Sequence, residues 1–464
     1  MMTETEKEYR KYLIEFYKDT FHLHHWTMSP DCINYWELLE NTQWESMEQI
    51  KQKQLEKLNQ LLKYSYKHVP YYKEKFDEHG VVVNNIASFK DLESLPVLGK
   101  ETIKNSGNGY MLSDKINLEK VLKIRTSGST GMPLHIYADA DQLDWRYAAV
   151  LRYWGWTGWE FGDKSIRLWH QKIGMNELEI KKEWIDSYLL GRRYIPVFEM
   201  NDKNLMKYIL DIIEYKPKMM DGYAEAFEII ADYIKHNNLQ DVFVPSIISS
   251  AQMLSDKMRA KIEQSLHSEV FDRYGCREFS TVAHECPVHK GYHITAENLI
   301  VEILKDGKSV KEGEMGEIVI TDLNNYSQPM IRYRIGDLAI KINEKCSCGR
   351  GLPLIGKITG RTKGVIQGTN GMFLTTAYFL HYLKDFEEEI RQFQVVQESL
   401  DKIKVFIIPE RKTGITTKTK ETIAINFKEK LGQDMNIDFC ITETIEMVKT
   451  GKHQAVISNI PFNL

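Results

Sequence analysis

One loop constrains this chain more than any other feature. Arg125-Thr126-Ser127-Gly128-Ser129-Thr130-Gly131-Met132-Pro133 carries two glycines and four hydroxyl residues. Its flanks, Val121–Ile124 and Leu134–Tyr137, are β-prone, so the local expectation is a strand–loop–strand hairpin. Glycines let backbone N–H groups approach a ligand closely, and hydroxyls donate hydrogen bonds to phosphate oxygens. A polar hairpin turn is the plain alternative. The loop is not a Walker loop, because no G-K-[ST] follows and no helix is indicated.

The rest of the chain is compatible with a large enzyme. Its 464 residues correspond to about two to four domains. Hydrophobic residues make up 42% and charged residues 27%, enough apolar material for a sizeable core. The 61 Lys+Arg against 65 Asp+Glu give a formal charge of −4, without the basic excess of a nucleic-acid binder. No run of about 18 apolar residues predicts a membrane span. The acidic start M-M-T-E-T-E-K-E-Y-R does not read as a secretory signal, so the expected location is cytoplasmic.

Residues 1–90 read as mainly helical. Ile50, Leu55, Leu58, Leu61, Leu62 and Tyr66 follow a helical spacing that Pro70 should end. Leu205–Tyr215 and Ala224–His236 read as helices, and Ser246–Ser250, Leu299–Leu304 and Glu317–Thr321 as strands. That alternation favours an α/β or mixed α+β class. From about residue 361, strand-like Lys404–Ile408, helical Thr417–Leu431 and strand-like Asn436–Thr442 suggest a smaller unit. The expected division is 1–360 and 361–464. Trp145, Trp154, Trp156, Trp159 and Trp169 crowd into 25 residues, read first as aromatic core and second as a pocket wall.

Further motifs follow the loop in order: Tyr274-Gly275-Cys276-Arg277-Glu278, Arg332-Tyr333-Arg334-Ile335-Gly336-Asp337-Leu338, Gly360-Arg361-Thr362-Lys363 and Thr450-Gly451-Lys452. With Thr126–Pro133, they resemble the phosphate loop, Y-G-x-x-E, R-Y-R-x-G-D-L, hinge and catalytic-lysine segments of the adenylate-forming superfamily. That superfamily includes acyl-CoA synthetases, peptide-synthetase adenylation domains and luciferases. Leu61–Lys73 and Phe89–Lys100 are similar to its phenylacetate–CoA ligase branch, which includes capsular-polysaccharide-biosynthesis relatives. The first 45 residues match nothing there.

The resemblance implies a large mixed α/β domain and a small mobile α+β domain. It implies that a substrate carboxylate attacks the α-phosphate of ATP, giving an acyl-adenylate, and that a nucleophile then displaces AMP. Thr126, Ser127, Gly128, Ser129, Thr130 and Gly131 would cradle phosphates, although Leu134 stands where the family's loop ends in lysine. Glu278 would hold Mg²⁺, a hard ion that takes oxygen ligands. Tyr274 and Gly275 would lie at the adenine, with Ser250 and Ala251 on the adenine-side loop. Asp337, an acceptor-only carboxylate, would take both ribose hydroxyls; the alternative for it is a turn-stabilising ion pair with Arg334. Arg361 would help to fix the nucleotide, and Lys452 would stabilise the adenylation transition state, with Lys449 as competitor. The branch favours CoA as acceptor and an aromatic acid as substrate. An amine or a carrier-protein thiol as acceptor, or a non-catalytic nucleotide-binding relative, are the alternatives. A monomer or homodimer is expected.

The cysteines form a separate signal. Cys346-Ser347-Cys348-Gly349 is a tight C-x-C-G, and Cys286, His289 and His293 lie upstream, with Cys276 and His284 nearby. A tetrahedral Cys₃His set of Cys286, His293, Cys346 and Cys348 would suit structural Zn²⁺. His289 could replace His293. Packing as small hydrophobes is the bland alternative.

Overall fold

The computed structural model describes residues 3–24, 28–83, 86–106, 109–125, 134–169, 177–197, 200–359, 365–410, 414–445 and 455–460. Four helices open the chain: α1 (Glu4–His24), α2 (Asp31–Thr42), α3 (Met47–His68) and α4 (Pro70–Glu78). Ser46 caps α3 reciprocally with Gln49, and Ile50, Leu58, Leu61 and Leu62 bury its apolar stripe. Pro70 does not simply end that helix. After extended Val69 it opens α4 at the first helical position, where a missing N–H leaves nothing unsatisfied.

The middle of the chain runs α5 (Lys100–Asn105), β1 (Leu122–Arg125), β2 (His135–Ala138), α6 (Ala140–Trp156), β3 (Ser165–Trp169), α7 (Glu177–Leu189), β4 (Arg192–Pro196), α8 (Asp202–Tyr215), β5 (Met219–Tyr223), α9 (Ala224–His236), β6 (Ser246–Ser250), α10 (Asp256–Leu266) and β7 (Glu269–Cys276). The expected hairpin is present: β1 and β2 pair antiparallel, with Arg125 opposite His135. Strands then dominate: β8 (Ser280–Glu285), β9 (Tyr292–Ile294), β10 (Leu299–Lys305), β11 (Lys308–Ser309), β12 (Met315–Asp322), β13 (Tyr333–Lys341) and β14 (Leu354–Thr359). Among the described residues these strands, without the β1–β2 hairpin, form one 12-stranded sheet in the order β11-β10-β12-β13-β14-β9-β8-β7-β6-β5-β3-β4. Strands β4, β3, β5, β6 and β7 are parallel neighbours; the remainder pair antiparallel. The α/β class expected from the sequence is the observed one.

The parallel half needs cover on both faces. On one face Ile166, Leu168, Met220, Ile247 and Val270 pack with α8, α9 and α10 through residues such as Leu205, Phe227 and Met258. Fully burying a side chain such as Phe227 contributes roughly 1.5–3 kcal/mol. On the other face the N-terminal segment supplies Tyr17, Phe21, Cys32 and Ile33, which join Trp154, Trp159, Met219 and Ile248. Trp145, Trp154, Trp156 and Trp159 are buried, as a core reading requires. Trp169, at the end of β3, instead stacks on Tyr223 at 4.4 Å and 7°.

The C-terminal elements are β15 (Val365–Gln367), β16 (Phe373–Thr375), α11 (Thr376–Tyr382), β17 (Ile390–Ser399), β18 (Lys402–Pro409), α12 (Thr417–Leu431), β19 (Asn436–Ile441) and β20 (Val456–Ser458). A four-stranded sheet runs β19-β18-β17-β20, and α12 buries Ile423, Phe427 and Leu431. The short strand β20, which holds Val456 and Ile457, runs parallel to β17.

Candidate functional site

In a sheet of this kind, ligands bind beyond the carboxyl ends of the parallel strands. Several residues singled out from the sequence meet there. Ser250 ends β6, and Ala251 follows with φ of 70°, a sharp turn away from the sheet. Tyr274 and Gly275 lie in β7, at a register shift against β8. A Cβ at Gly275 would stand 2.3 Å from the Ser280 carbonyl oxygen, so only glycine fits. The Tyr274 hydroxyl donates to Asp337 Oδ2 at 2.9 Å, joining two motifs 63 residues apart. Asp337 sits in β13 at 6% exposure. Arg334 pairs with Glu317 at 2.8 Å, so the alternative of an Arg334–Asp337 ion pair is not what forms.

Glu278 follows β7, half-buried, and its backbone carbonyl accepts from Arg146 Nη2 on α6. Burial lowers the Arg146 pKa, and the Asp322 carboxylate at 3.9 Å works against that. Gln142 in turn donates to Asp322. This Gln142–Asp322–Arg146 support was missed in the sequence, because a helix and a strand end about 180 residues apart leave no local pattern. Thr126, Ser127, Gly128, Ser129, Thr130 and Gly131 lie outside the described residues, as do Arg361, Lys363, Lys449 and Lys452.

A second constellation lies where the loop after β8 meets the loop between β13 and β14. The ligand atoms of Cys286, His293, Cys346 and Cys348 all lie within 4.8 Å of one another. Cys286 Sγ and Cys346 Sγ are 3.6 Å apart, and Cys348 Sγ is 3.3 Å from His293 Nε2. Corners of a tetrahedral site with metal–sulfur bonds of about 2.3 Å stand roughly 3.7 Å apart, so the donor set fits a zinc-sized ion. His293 Nδ1 faces the Leu352 carbonyl at 3.2 Å, which assigns its proton there and leaves Nε2 with its lone pair toward the sulfurs. Burial depresses the His293 pKa to about 4, keeping it neutral, and pushes the Cys286 thiol up to about 12. Burial also opposes ionisation of Cys348, yet the Arg350 backbone N–H and the neighbouring thiols bring it below its ordinary value.

His289 is not an alternative to His293. It lies between Glu285 and Glu269, 3.1 Å from each, and Glu285 raises its pKa. Cys276 is on β7 and His284 stacks on Tyr153, both outside the cluster. The cysteine loop is clamped to the α2–α3 turn. Gly351 N donates to the Gln43 carbonyl at 3.0 Å, and Arg350 lies over the Trp44 and Trp156 rings at 4.7 and 4.4 Å.

Comparison with known proteins agrees with this geometry. Residues 366–459 match the family model of the CapK C-terminal domain. Protein CapK of Staphylococcus aureus is 25% identical over 399 residues, 81% of this chain and 83% of that protein. The phenylacetate–coenzyme A ligase of Pseudomonas putida is 28% identical over 350 residues, covering 72% and 76%. That of Aromatoleum evansii is 26% identical over 440 residues, covering 90% and 96%. Among solved structures, 2-hydroxyisobutyryl-CoA ligase with its acyl-AMP and CoA superposes with a TM-score of 0.60 at 20% identity, covering 88% and 89%. The same ligase in its postadenylation state gives 0.59 at 18% identity, covering 90% and 92%. The fold is therefore that of the adenylate-forming acid ligases.

Proposed function

We propose that this homologue of CapK and of the phenylacetate–coenzyme A ligases is an ATP-dependent, AMP-forming carboxylate ligase. The observation that carries the reading is the Tyr274–Asp337 hydrogen bond. It joins an adenine-side tyrosine and a ribose-binding carboxylate beyond the carboxyl ends of the parallel strands, beside Ser250 and Ala251. ATP would lie across these residues, with its phosphates on Thr126–Gly131. Glu278 would hold Mg²⁺, which neutralises charge on the phosphate oxygens when bound. Arg361 would contact the nucleotide from the start of a small domain, 361–464, that swings over the large domain, 1–360.

Lys452 would reach the oxygens between which charge develops as the carboxylate attacks the α-phosphate and pyrophosphate leaves. Catalysis of this step rests on positioning and electrostatic stabilisation. The thiol of CoA then attacks the acyl carbonyl and AMP departs. CoA is supported by the names of the phenylacetate ligases. The second reading is an amine or a carrier-protein thiol as acceptor, because the CapK relative, also matched over most of its length, carries no CoA in its name. The Cys286–His293–Cys346–Cys348 set would bind a structural Zn²⁺ that pins two loops and takes no part in the reaction. No described helix is long and apolar enough to cross a membrane, and we place the reaction in the cytoplasm.

ATP–pyrophosphate exchange, driven by a panel of carboxylic acids, tests the reading. Acid-dependent exchange is expected. A protein that binds ATP yet exchanges pyrophosphate with no acid would be a non-catalytic relative.

A further inference from the structure

The face of the parallel sheet opposite α8–α10 changes character toward its carboxyl end. Register aligns Arg167 with Asp221 across β3–β5, and Ser250 with Arg273 across β6–β7. Side-chain alternation puts these four on one face, away from Ile166, Leu168, Met220 and Ile247. Arg273 Nε donates to Ser250 Oγ at 3.2 Å, and its residue directly precedes Tyr274. Arg167 lies 3.3 Å from Asp221 Oδ2 and 4.8 Å from the Trp169 ring centre. Tyr223, stacked on Trp169, stands in the field of Arg277, Arg167 and Arg273.

Two observations set this group apart from a structural ion-pair layer. First, Asp221 is 1% exposed, and although its Oδ2 is ion-paired with Arg167 Nε at 3.3 Å, its Oδ1 has no hydrogen-bond partner. Buried polar groups are normally satisfied, so an open carboxylate oxygen calls for a donor from a ligand. Second, the charges do not balance. Asp221 answers Arg167, but among the described residues no carboxylate lies within ion-pair distance of Arg273. Burial lowers the Arg273 pKa; Asp221 opposes that from beyond ion-pair distance, and the like charge of Arg167 adds to the lowering.

The pocket adjoins the nucleotide residues through Ser250 and Tyr274. The acid's reacting carboxylate must meet the α-phosphate there, so the remainder of the acid extends into this space. Resting on the adenylating function proposed above, we infer that the acid activated by this chain carries a second anionic group, a dicarboxylate being the simplest case, which Arg273 and Arg167 bind. A phenyl ring in this place would leave the Arg273 guanidinium desolvated with no described carboxylate at ion-pair distance and Asp221 Oδ1 unsatisfied, an outcome penalised far more than a lost apolar contact. A guanidinium fork matches a carboxylate in two parallel hydrogen bonds. The open Asp221 Oδ1 would accept from a hydroxyl or amino group on the same acid.

The test uses matched acids in pyrophosphate exchange: phenylacetate against 4-carboxyphenylacetate, and butyrate against glutarate. The doubly charged member of a pair should be preferred by about 10²-fold in kcat/KM. Arg273→Gln should bring the pair to within a few fold, while Arg273→Lys should keep part of the preference. Equal or better exchange with the neutral members overturns the inference and leaves the ligase reading standing. If no acid supports exchange, calorimetric titration with glutarate and 4-carboxyphenylacetate decides. Binding that Arg273→Gln abolishes would keep the anion pocket and remove the ligase reading. Absence of binding would remove the pocket as well.

Discussion

The cysteine–histidine knuckle and the nucleotide cleft are built on opposite plans. The knuckle draws its four side chains from the loop after β8, from β9 and from the loop between β13 and β14, and its donors already stand at ligating separations. The proposed cleft takes Ser250, Tyr274, Glu278 and Asp337 from β6, β7, the turn after β7 and β13, and among the described residues the Tyr274–Asp337 hydrogen bond joins two of its motifs. A metal site must be rigid to hold its geometry. A site that binds nucleotide, forms an adenylate and releases AMP must let groups arrive and leave. The knuckle should therefore answer to stability measurements and the cleft to kinetics.

The sharpest break of that division is Lys452→Ala. Adenylate formation should fall by about 10²–10³, the effect of removing one preorganised electrostatic group. ATP binding and melting temperature should stay close to wild type, because the interaction is made mainly in the transition state. Full exchange in this variant would move the role to Lys449.

Next in size is Cys346→Ser combined with Cys348→Ser. Wild type should carry about one zinc per chain by elemental analysis. The double variant should lose it and melt roughly 5–10 °C lower, since metal binding is linked to folding. A well-folded wild type that neither carries nor takes up zinc would show the four residues to be packing only. A large loss of exchange without loss of stability would contradict the division between the two regions.

Asp337→Ala should show the kinetic signature opposite to that of Lys452. Its ribose contacts exist before and during reaction, so KM for ATP should rise about 10–100-fold, the range for a hydrogen bond to a charged group. An unchanged KM with a depressed kcat would place Asp337 in the chemistry instead.

Much of this was legible in the sequence where the signal is local. Helical spacing from Ile50 to Tyr66 placed α3, and C-x-C-G with an upstream Cys and His pointed to the knuckle. The choice between His289 and His293 was not legible. It depends on Glu285 and Glu269 drawing His289 into an ion-pair network, a contact between separate strands. Pro70 was read as a terminator because a proline ends the helix before it, yet the same residue can begin the next. Arg146 was invisible because the packing of α6 brings it to Glu278 and Asp322, and the Arg167–Asp221–Arg273 group because parallel register, not spacing along the chain, brings it together. The tryptophan cluster divided the same way: four members fill the core, and Trp169 faces the strand ends.

The smallest expected effect comes from the residue that stands between the two regions. Asp272 on β7 precedes Arg273 and Tyr274 on the cleft side, and its Oδ2 accepts from the hydroxyl of Tyr292, the neighbour of knuckle ligand His293. Burial, with the negative charge of Glu285 adding to it, raises the Asp272 pKa to about 7. In the unfolded chain it should titrate near 3.9. Between these values the folded state binds more protons than the unfolded one. Its contribution is therefore fully present below about pH 4 and is lost as pH rises to about 7. Asp272→Asn removes the titration while keeping an oxygen acceptor for Tyr292. Melting curves of the two proteins at steps from pH 4.5 to 7.5 should diverge upward, with the variant more stable by a few degrees at the top of the range. Taking the difference cancels every other group that titrates in the window. Parallel curves would mean that Asp272 is ionised in the folded protein throughout, and that Arg259 and Arg273 compensate its charge more fully than burial penalises it. Adenylate formation and zinc content measured on the same variant then show whether the strand joining knuckle to cleft transmits anything. If the regions are independent, both stay at wild-type values while only the pH dependence of stability changes.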